Sequence, residues 1–413
     1  MPLWFRNRLF CSVKPRTSTP RSQHKDTGSK AILARCLPRG LRIIACRDIP
    51  TGTAPGHSGA GQQGESMKQI RIDRFGVPAQ VARCCDVADP GEPSPWEVLI
   101  DIEVSTISPA DLSRLSGRYG ELPRLPATAG LEGVGRIVSR GAQVNGLEVG
   151  DRVIVKANGN WCQRQRIPAT LALKVPADLD VFQLATLKVN ACTALELVRR
   201  QVPLKRGDWL VQTAPLSGVG RAVMQVARHY GVRTLNIVRR ASAIDEVLEA
   251  GGDAAIEDGA DMMQAALEIV GHAPMPLAID AVGGEGVSRL AGLLAPGGTV
   301  INYGMLSGQP ISIGCDQTIF HNISVKGFWL AQKMLYMSRA ESDALILDAV
   351  DLLSKGVLHA EIAGTYSLDE IGKAIGRAEE AGRHGKVCLL PNGPIARAQP
   401  GSQMAQPAMV QLQ

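Results

Sequence analysis

The sequence predicts an α/β protein in which a β-rich domain is joined to a doubly wound domain with a parallel sheet. Three observations predict this fold class. Short strands punctuated by glycines crowd residues 67–190, strands and amphipathic helices alternate over residues 191–327, and a complete strand, glycine turn, helix and strand occupies Asp208–Arg240. Closely spaced short strands predict a barrel or sandwich, whereas alternation of strand and helix is typical of a parallel sheet.

The β-rich domain is predicted over residues 67–190. The stretch WEVLIDIEVSTIS alternates apolar and polar residues, and the stretches EGVGRIVSRG and VGDRVIVK follow it at close spacing. These strands predict a small twisted barrel or sandwich.

The parallel sheet is predicted over residues 191–327, where LAIDAV, GGTVINYG and ISVKGF are short apolar strands. The stretch VSRLAGLLA, between the first two of them, has helical periodicity. Residues 328–391 form a further segment with two amphipathic helices, Ala344–Leu353 and Leu368–Ala381, and a last strand, Lys386–Leu390.

Both ends of the chain are predicted to be disordered. Residues 1–66 are basic, lack apolar periodicity and end in a Gly/Ser/Pro-rich run, and residues 392–413 are rich in Pro, Gln and Ala. An Arg-rich, acid-poor leader is typical of a mitochondrial presequence. The alternative is that translation begins at Met67 and that the upstream residues are an over-extended reading frame. Five prolines from Pro15 to Pro55 favour this alternative, and with it a cytoplasmic location, because they interrupt the amphipathic helix that a presequence needs.

Length and charge limit the classes of function. The 413 residues permit two large cores. The formal net charge is +6, but residues 1–66 carry eleven Lys and Arg against three acidic residues, so the remainder has a net charge of −2. A nearly neutral body gives no electrostatic reason to expect nucleic acid as a partner. No apolar run is long enough to span a membrane, and the nine cysteines lack the spacing of a zinc site.

A glycine turn is the most informative motif. Leu210–Thr213 is an apolar run suited to a buried strand, and Ala214–Gly220 (APLSGVG) is a turn in which Gly218 and Gly220 allow the backbone to approach a pyrophosphate. An amphipathic helix follows, and Gly231 is placed to end it in a left-handed conformation. Because the first amides of a helix bind phosphates, the motif predicts a dinucleotide site.

Two arginines predict which dinucleotide binds. The second strand ends at Arg239 and Arg240, about 20 residues past the glycines, where an NAD-binding protein usually has an acidic residue for the ribose 2′-hydroxyl. Arginine at this place favours a 2′-phosphate and therefore NADPH. The alternative is that the pair is a solvated strand end.

Four stretches carry a resemblance to a known family. They are ISPADLSRLSGRYGELPRLPATAGLEGVG, LKVNACTALELV, the APLSGVG turn with NIVRR, and VKGFWLAQ. From Met67 to about Pro391 the chain resembles the medium-chain dehydrogenase/reductase superfamily and, within it, the 2-enoyl thioester reductase family, which includes the mitochondrial trans-2-enoyl-CoA reductases. The resemblance implies a GroES-like catalytic domain at 67–190, a Rossmann NADPH-binding domain at 191–327, and a segment at 328–391 that completes the catalytic domain.

The resemblance also implies an activity. It is reduction of the carbon–carbon double bond of a trans-2-enoyl thioester, carried by CoA or by acyl-carrier protein, with a hydride to the β-carbon and a proton to the α-carbon. Tyr119 is implied to be the proton donor or the group that orients the enoyl end, since a phenol stays protonated at neutral pH. The alternative is a turn tyrosine covered by Pro123 and Pro126. NADPH:quinone oxidoreduction is the alternative function, and a nucleotide-binding protein without turnover is a third.

Further cofactor contacts are implied by the same resemblance. Asn190 lies in VNACTA, where Ala191 replaces the proline of the family's motif, and is implied to contact the nicotinamide end. The other implied contacts are Leu216, Ser217, Gly218, Val219 and Gly220 at the pyrophosphate, Arg239 and Arg240 at the 2′-phosphate, Tyr303, Gly304, Met305, Leu306, Phe328, Trp329, Leu330 and Ala331 around the nicotinamide, and Lys386 late in the chain.

The metal ligands of the related zinc alcohol dehydrogenases are missing. Ser108 stands where those enzymes have a cysteine, and Leu131 stands where they have a histidine before the Glu-Gly pair. Glu132 alone does not hold a catalytic zinc, so no metal site is expected. The resemblance implies a homodimer formed through Ile311–Ile313 and Ile323–Val325.

Overall fold

The structure is a computed structural model that describes residues 66–395. Disorder was predicted for residues 1–66 and 392–413, and these lie outside the described residues except for Ser66, which begins β1, and residues 392–395. The strands are β1 Ser66–Ile72, β2 Arg83–Ala88, β3 Glu97–Ile107, β4 Ala127–Thr128, β5 Gly133–Arg140, β6 Arg152–Val155, β7 Arg164–Pro168, β8 Ala172–Lys174, β9 Trp209–Thr213, β10 Arg233–Val238, β11 Ala254–Glu257, β12 Leu277–Asp280, β13 Thr299–Asn302, β14 Ser324–Gly327, β15 Ile362–Tyr366 and β16 Lys386–Leu389.

The α-helices are α1 Pro78–Val81, α2 Pro109–Leu115, α3 Val181–Leu184, α4 Cys192–Arg200, α5 Gly218–His229, α6 Ile244–Glu249, α7 Met262–Val270, α8 Gly286–Leu293, α9 Cys315–Ile319, α10 Leu330–Tyr336, α11 Arg339–Ser354 and α12 Ile371–Glu379. A π-helical turn, Leu187–Ala191, immediately precedes α4. Within the described residues no helix is both long enough and apolar enough to cross a membrane.

The β-rich part contains two sheets. A seven-stranded sheet has the order β15-β16-β3-β5-β6-β8, with β7 paired to β3, and a three-stranded sheet has the order β2-β1-β4. The pairing of β3 with β5 is irregular at Leu99/Ile100 and at Ile102/Val104. Such bulges bend a strand and increase its twist, so β3 can pair with β5, β7 and β16 in one curved sheet. The curvature surrounds a core that includes Val98, Ile137 and Val153.

The second large sheet is parallel throughout and has the order β11-β10-β9-β12-β13-β14. Numbered from its own first strand this order is 3-2-1-4-5-6, the order of a Rossmann fold. Neighbouring residues of β9, β12 and β13 enter different cores: in β9, Leu210 packs into one cluster and Val211 into another. Burial on both faces explains the uninterrupted apolar strands and confirms the predicted fold class.

Element bounds differ from the sequence predictions mainly at helix ends. The predicted helix Ala344–Leu353 begins earlier, at Arg339, because Ser338 and Glu341 form a capping box. The predicted helix Leu368–Ala381 is divided into a 3₁₀ turn, Leu368–Glu370, and α12. The domain boundaries at 190/191 and 327/328 stay predictions.

Candidate active site

The glycine turn joins β9 to α5. Ser217 caps α5, because its hydroxyl accepts a hydrogen bond of 3.0 Å from the Gly220 amide. A Cβ at Gly220 would stand 2.5 Å from the Ala214 carbonyl oxygen, so glycine is required there for the tight path of the turn. The left-handed residue is Ala214, with φ of 49°. Gly220 therefore allows the tight turn that leads into α5, a twelve-residue helix whose first amides suit a pyrophosphate.

Asn190 lies against this turn. It is in the π-helical turn Leu187–Ala191, is 8% exposed, and its Nδ2 atom would be 2.6 Å from a Cβ at Gly218. Glycine at 218 thus provides the space that the Asn190 side chain occupies. The structure brings together the predicted nicotinamide contact and the predicted pyrophosphate contacts, and π-helical turns are frequent at functional sites.

Asp280 joins the carboxyl ends of three strands and was not singled out from the sequence. Its buried carboxylate accepts hydrogen bonds from Thr213 Oγ1 at 2.8 Å and from Asn302 Nδ2 at 2.7 Å. It also accepts from the amides of Val282 and Gly283. In the sequence LAIDAV it looks like an ordinary residue of the strand, so no local motif indicates this role. Asp280 therefore holds together the carboxyl ends of these strands, where a dinucleotide binds in this fold.

Tyr303 connects Asp280 to the glycine turn. Its amide donates to the Asp280 carbonyl at 2.8 Å, and its phenol hydrogen-bonds Ser217. Burial raises the pKa of Tyr303 well above its usual range, and the hydrogen bond with Ser217 opposes that rise. Met305 and Leu306, which follow, are exposed. The structure therefore brings Tyr303 to the turn and leaves Met305 and Leu306 at the surface.

Arg239 and Arg240 are exposed at the carboxyl end of β10, the strand beside β9. Neither guanidinium forms an ion pair with any residue in the described range. Arg240 Nη2 lies 3.8 Å from the position of a Cβ at Gly382. Two free cations next to the strand that leads into the glycine turn fit a 2′-phosphate.

Tyr119 lies in the loop between α2 and β4, and the structure brings it to Trp329. The indole Nε1 of Trp329 donates a hydrogen bond of 2.8 Å to the Tyr119 hydroxyl oxygen, and the rings meet edge to face at 5.4 Å. A Cβ at Gly120 would stand 3.0 Å from the same indole ring. Trp329 follows Phe328, whose amide donates to the Asn302 carbonyl at 2.8 Å. The proposed proton donor is thereby connected to the predicted nicotinamide contacts.

Burial raises the pKa of Tyr119, and the hydrogen bond from Trp329 opposes that rise. The phenol is therefore protonated at neutral pH. Because an indole nitrogen only donates, the Tyr119 oxygen is the acceptor in this pair and its own proton is free for another partner.

The positions of the missing zinc ligands have other uses in this chain. Ser108 caps α2, and its hydroxyl donates a hydrogen bond of 2.6 Å to Asp111. The other oxygen of Asp111 accepts from the Leu131 amide at 2.9 Å. The described residues contain no group of three His, Cys, Asp or Glu side chains that could hold a metal ion.

We expect the purified protein to contain no stoichiometric zinc and to keep its full oxidoreductase activity in EDTA. The reason is the identity of the residues at the two ligand positions, since neither a serine bonded to Asp111 nor a leucine replaces cysteine and histidine. Elemental analysis of the protein before and after EDTA treatment measures this directly. One zinc per chain together with loss of activity in EDTA would contradict the assignment.

A cluster of charged side chains lies next to Ser108 and Leu131. Glu132 is 3.3 Å from Lys386, and Lys188 donates to the carbonyls of Leu131 and Lys156 at 2.6 and 2.7 Å. Burial raises the pKa of Asp111 to about 6 and lowers the pKa of Lys188 to about 8. The sequence did not mark Lys188. The structure places Lys386 against Glu132, and its contact with the cofactor stays a prediction.

The pKa of Lys188 predicts a pH-dependent stability. Because the folded state lowers this pKa from 10.5 to about 8, folding disfavours the ammonium, and that cost is present below pH 8 and disappears as the pH rises toward 10.5. Relative to Lys188→Met, the wild-type protein should gain about 2 kcal/mol of unfolding free energy between pH 7.5 and pH 10, a value discounted for the partial exposure of the side chain. Urea unfolding of both proteins at the two pH values measures the difference. A difference in unfolding free energy that does not change with pH would contradict the lowered pKa of Lys188.

Comparisons with known proteins give the family. The model of the zinc-binding dehydrogenase family matches residues 218–345, and that of the alcohol dehydrogenase GroES-like domain matches residues 94–174. The chain is similar to the mitochondrial enoyl-[acyl-carrier-protein] reductase of Xenopus tropicalis, with 33% identity over 75% of this chain and 91% of the relative. It is also similar to that of Rattus norvegicus, with 34% identity over 68% of this chain and 77% of the relative.

Solved structures agree in fold. A putative NADPH:quinone reductase from Bacillus thuringiensis superposes with a TM-score of 0.73 at 25% identity, covering 79% of this chain and 99% of that one. A mutant enoyl thioester reductase from Candida tropicalis superposes with a TM-score of 0.71 at 21% identity, covering 79% of this chain and 100% of that one. The fold and these relatives define an oxidoreductase. The chain belongs to the enoyl thioester reductase family of the medium-chain dehydrogenase/reductase superfamily.

Proposed function

We propose that the protein reduces the carbon–carbon double bond of trans-2-enoyl thioesters with NADPH. The single observation that carries this proposal is the hydrogen bond from Trp329 to Tyr119, because it places a protonated phenol beside a predicted nicotinamide contact. The relatives named enoyl-[acyl-carrier-protein] reductase support the same reaction. A structural neighbour described as a complex with NADP and crotonyl-CoA has the same fold.

The residues that would hold NADPH are those of the glycine turn, Asn190, Arg239 and Arg240. When bound, NADPH supplies the hydride for the β-carbon of the substrate. Gly218 leaves room for the Asn190 side chain and Gly220 allows the tight turn, so that the first amides of α5 can bind the pyrophosphate, and the two arginines are free to pair with the 2′-phosphate.

Tyr119 supplies the proton for the α-carbon. Its hydroxyl proton is free because Trp329 donates to its oxygen, and the same indole N–H remains a donor to the phenolate that is left after proton transfer. A carbanion next to a thioester carbonyl is more basic than a phenolate, so the transfer is favourable. Trp329 therefore orients the phenol before the transfer and stabilises it afterwards.

A second candidate function is NADPH:quinone oxidoreduction, which is favoured by the neighbours of the same fold that are named quinone reductases. Quinone reduction uses the cofactor site and does not need a tyrosine proton. One assay separates the candidates: oxidation of NADPH is followed with crotonyl-CoA, with a quinone and with neither. Consumption of NADPH with the thioester supports the proposed function, consumption with the quinone alone supports the second candidate, and no consumption with either indicates a nucleotide-binding protein.

The carrier of the acyl group is proposed to be CoA or acyl-carrier protein, and comparison of kcat/KM for crotonyl-CoA and crotonyl-acyl-carrier protein decides between them.

We also propose a homodimer that forms through β14, the strand at the edge of the parallel sheet. Exposed apolar side chains at Ile311, Ile319 and Phe320 support this interface, whereas Ile323 is buried inside the chain. Light scattering of the wild-type protein and of Phe320→Glu tests the assembly.

A cytoplasmic location is proposed from the five prolines between Pro15 and Pro55. The relatives named mitochondrial favour the alternative, in which this segment is a presequence. Fusion of residues 1–66 to a fluorescent protein separates the two, since only a presequence directs the fusion to mitochondria.

A further inference from the structure

Glu132 connects the β-rich sheet to the turn that carries Asn190. It immediately precedes β5 and is 1% exposed. One carboxylate oxygen accepts a hydrogen bond from Thr106 Oγ1 on β3 and faces the Lys386 ammonium at 3.3 Å. The other oxygen accepts from the Val189 amide at 2.9 Å. Three segments that are distant in sequence therefore meet at one side chain.

The Val189 amide belongs to the same π-helical turn as Asn190, one residue earlier in the chain. The Asn190 side chain in turn contacts the glycine turn at Gly218. A displacement of the Val189 amide would therefore move the Asn190 side chain relative to the first residues of α5.

We propose that Glu132 is a positioning residue of the cofactor site, whose carboxylate holds the π-helical turn, and with it Asn190, in register with the β-rich sheet. This inference rests on the proposed function, because it assumes that NADPH binds beside Asn190. Glu132 acts through the Val189 amide and not by contact with the reacting atoms.

A carboxylate suits this position because both of its oxygens are acceptors. The Thr106 hydroxyl and the Lys386 ammonium donate on one side, and the Val189 amide donates on the other. Lys386, itself buried, compensates the charge that would otherwise be costly inside the protein. A glutamine has a single acceptor oxygen, so its NH₂ group would face a donor on one of the two sides.

Two variants test the proposal. Glu132→Gln keeps the volume and introduces the donor conflict, whereas Glu132→Asp keeps the charge opposite Lys386 but is too short by one methylene to reach Val189. Binding of NADPH is measured by quenching of tryptophan fluorescence, without a thioester. We expect the Kd of NADPH to rise by about tenfold in both variants, the size of one lost hydrogen bond to a charged group.

Glu196→Gln is the matched control. Glu196 is also fully buried and is paired with Arg200 on α4, but it has no hydrogen bond to the π-helical turn. We expect its Kd for NADPH to stay within about twofold of the wild-type value, given its lack of contact with the site. Melting temperatures of all variants separate loss of folding from loss of positioning, and the KM for the thioester at saturating NADPH should not change.

The outcomes distinguish the inference from the proposed function. If the wild-type protein does not bind NADPH, the proposed function fails. If the wild-type protein binds NADPH and Glu132→Asp binds it equally well, the contact with Val189 does not position the site and the inference is overturned. If Glu132→Gln does not fold, Glu132→Asp alone decides by the same criterion, and a Kd for Glu196→Gln that rises as much as the Glu132 variants also overturns the inference.

Discussion

Replacement of Tyr119 with phenylalanine is expected to lower the turnover of an enoyl thioester by about two to four orders of magnitude. The ring and its edge-to-face packing on Trp329 are kept, and only the hydroxyl is lost. The fold and the affinity for NADPH should therefore survive. The loss should appear in kcat, because the phenol transfers its proton in the transition state and contributes little to binding of the ground state.

The control for this variant is Tyr336→Phe, since Tyr336 on α10 is exposed and has no predicted role. Its turnover should equal that of the wild-type protein. Reduction of a quinone, which takes its protons from solvent, should be nearly unchanged in Tyr119→Phe. Crotonyl-CoA reduction at the wild-type rate in Tyr119→Phe would show that Tyr119 is a packing residue and would remove the main mechanistic support for the proposed function.

Replacement of Arg239 and Arg240 by alanine is expected to weaken NADPH binding by an order of magnitude or more, whereas NADH binding should change little. Each charge-assisted hydrogen bond to the 2′-phosphate contributes about 1.5 to 3 kcal/mol, and NADH lacks that group. Both side chains are exposed and form no ion pair within residues 66–395, so their removal should leave the melting temperature unchanged. Titration of the double variant with each cofactor gives the two dissociation constants.

A suitable control for the double variant is Arg83→Ala, because Arg83 on β2 is likewise exposed and has no ion pair in the described part of the chain. Its affinity for both cofactors should match that of the wild-type protein. Equal losses of NADPH and NADH affinity in the arginine double variant would refute the preference for NADPH.

The parallel sheet was the part of the fold most open to prediction from sequence. Short apolar strands buried on both faces, such as Leu210–Thr213, have a recognisable composition, and the glycine turn marks where the first of them ends. The order of the strands had to come from the structure, because pairing of β9 with β12 joins segments separated by several other elements. The bulges of β3 were also absent from the sequence prediction, since they depend on the partner strand.

The candidate site was predictable where a motif is local and not where two distant residues meet. The glycine turn and the arginines were recognised from spacing, and Tyr119 from a family resemblance. The hydrogen bond between Tyr119 and Trp329 joins residues 210 positions apart in the sequence, and no periodicity of the sequence predicts it. Asp280 and Lys188 were also missed. In the sequence Asp280 looks like any residue of a strand and Lys188 like a surface lysine, because the tertiary contacts that enclose a polar side chain leave no local pattern.

The central claim is that this chain delivers a hydride to the β-carbon of an enoyl thioester and a proton to its α-carbon. The most direct measurement uses NADPH that carries deuterium on the transferred position, with crotonyl-CoA as the substrate, and locates the label by mass spectrometry and NMR of the product. We expect butyryl-CoA with one deuterium at the β-carbon and, when the reaction is run in ²H₂O with unlabelled NADPH, one deuterium at the α-carbon. Oxidation of NADPH without saturated thioester, or a product whose β-carbon lacks the label, would contradict it.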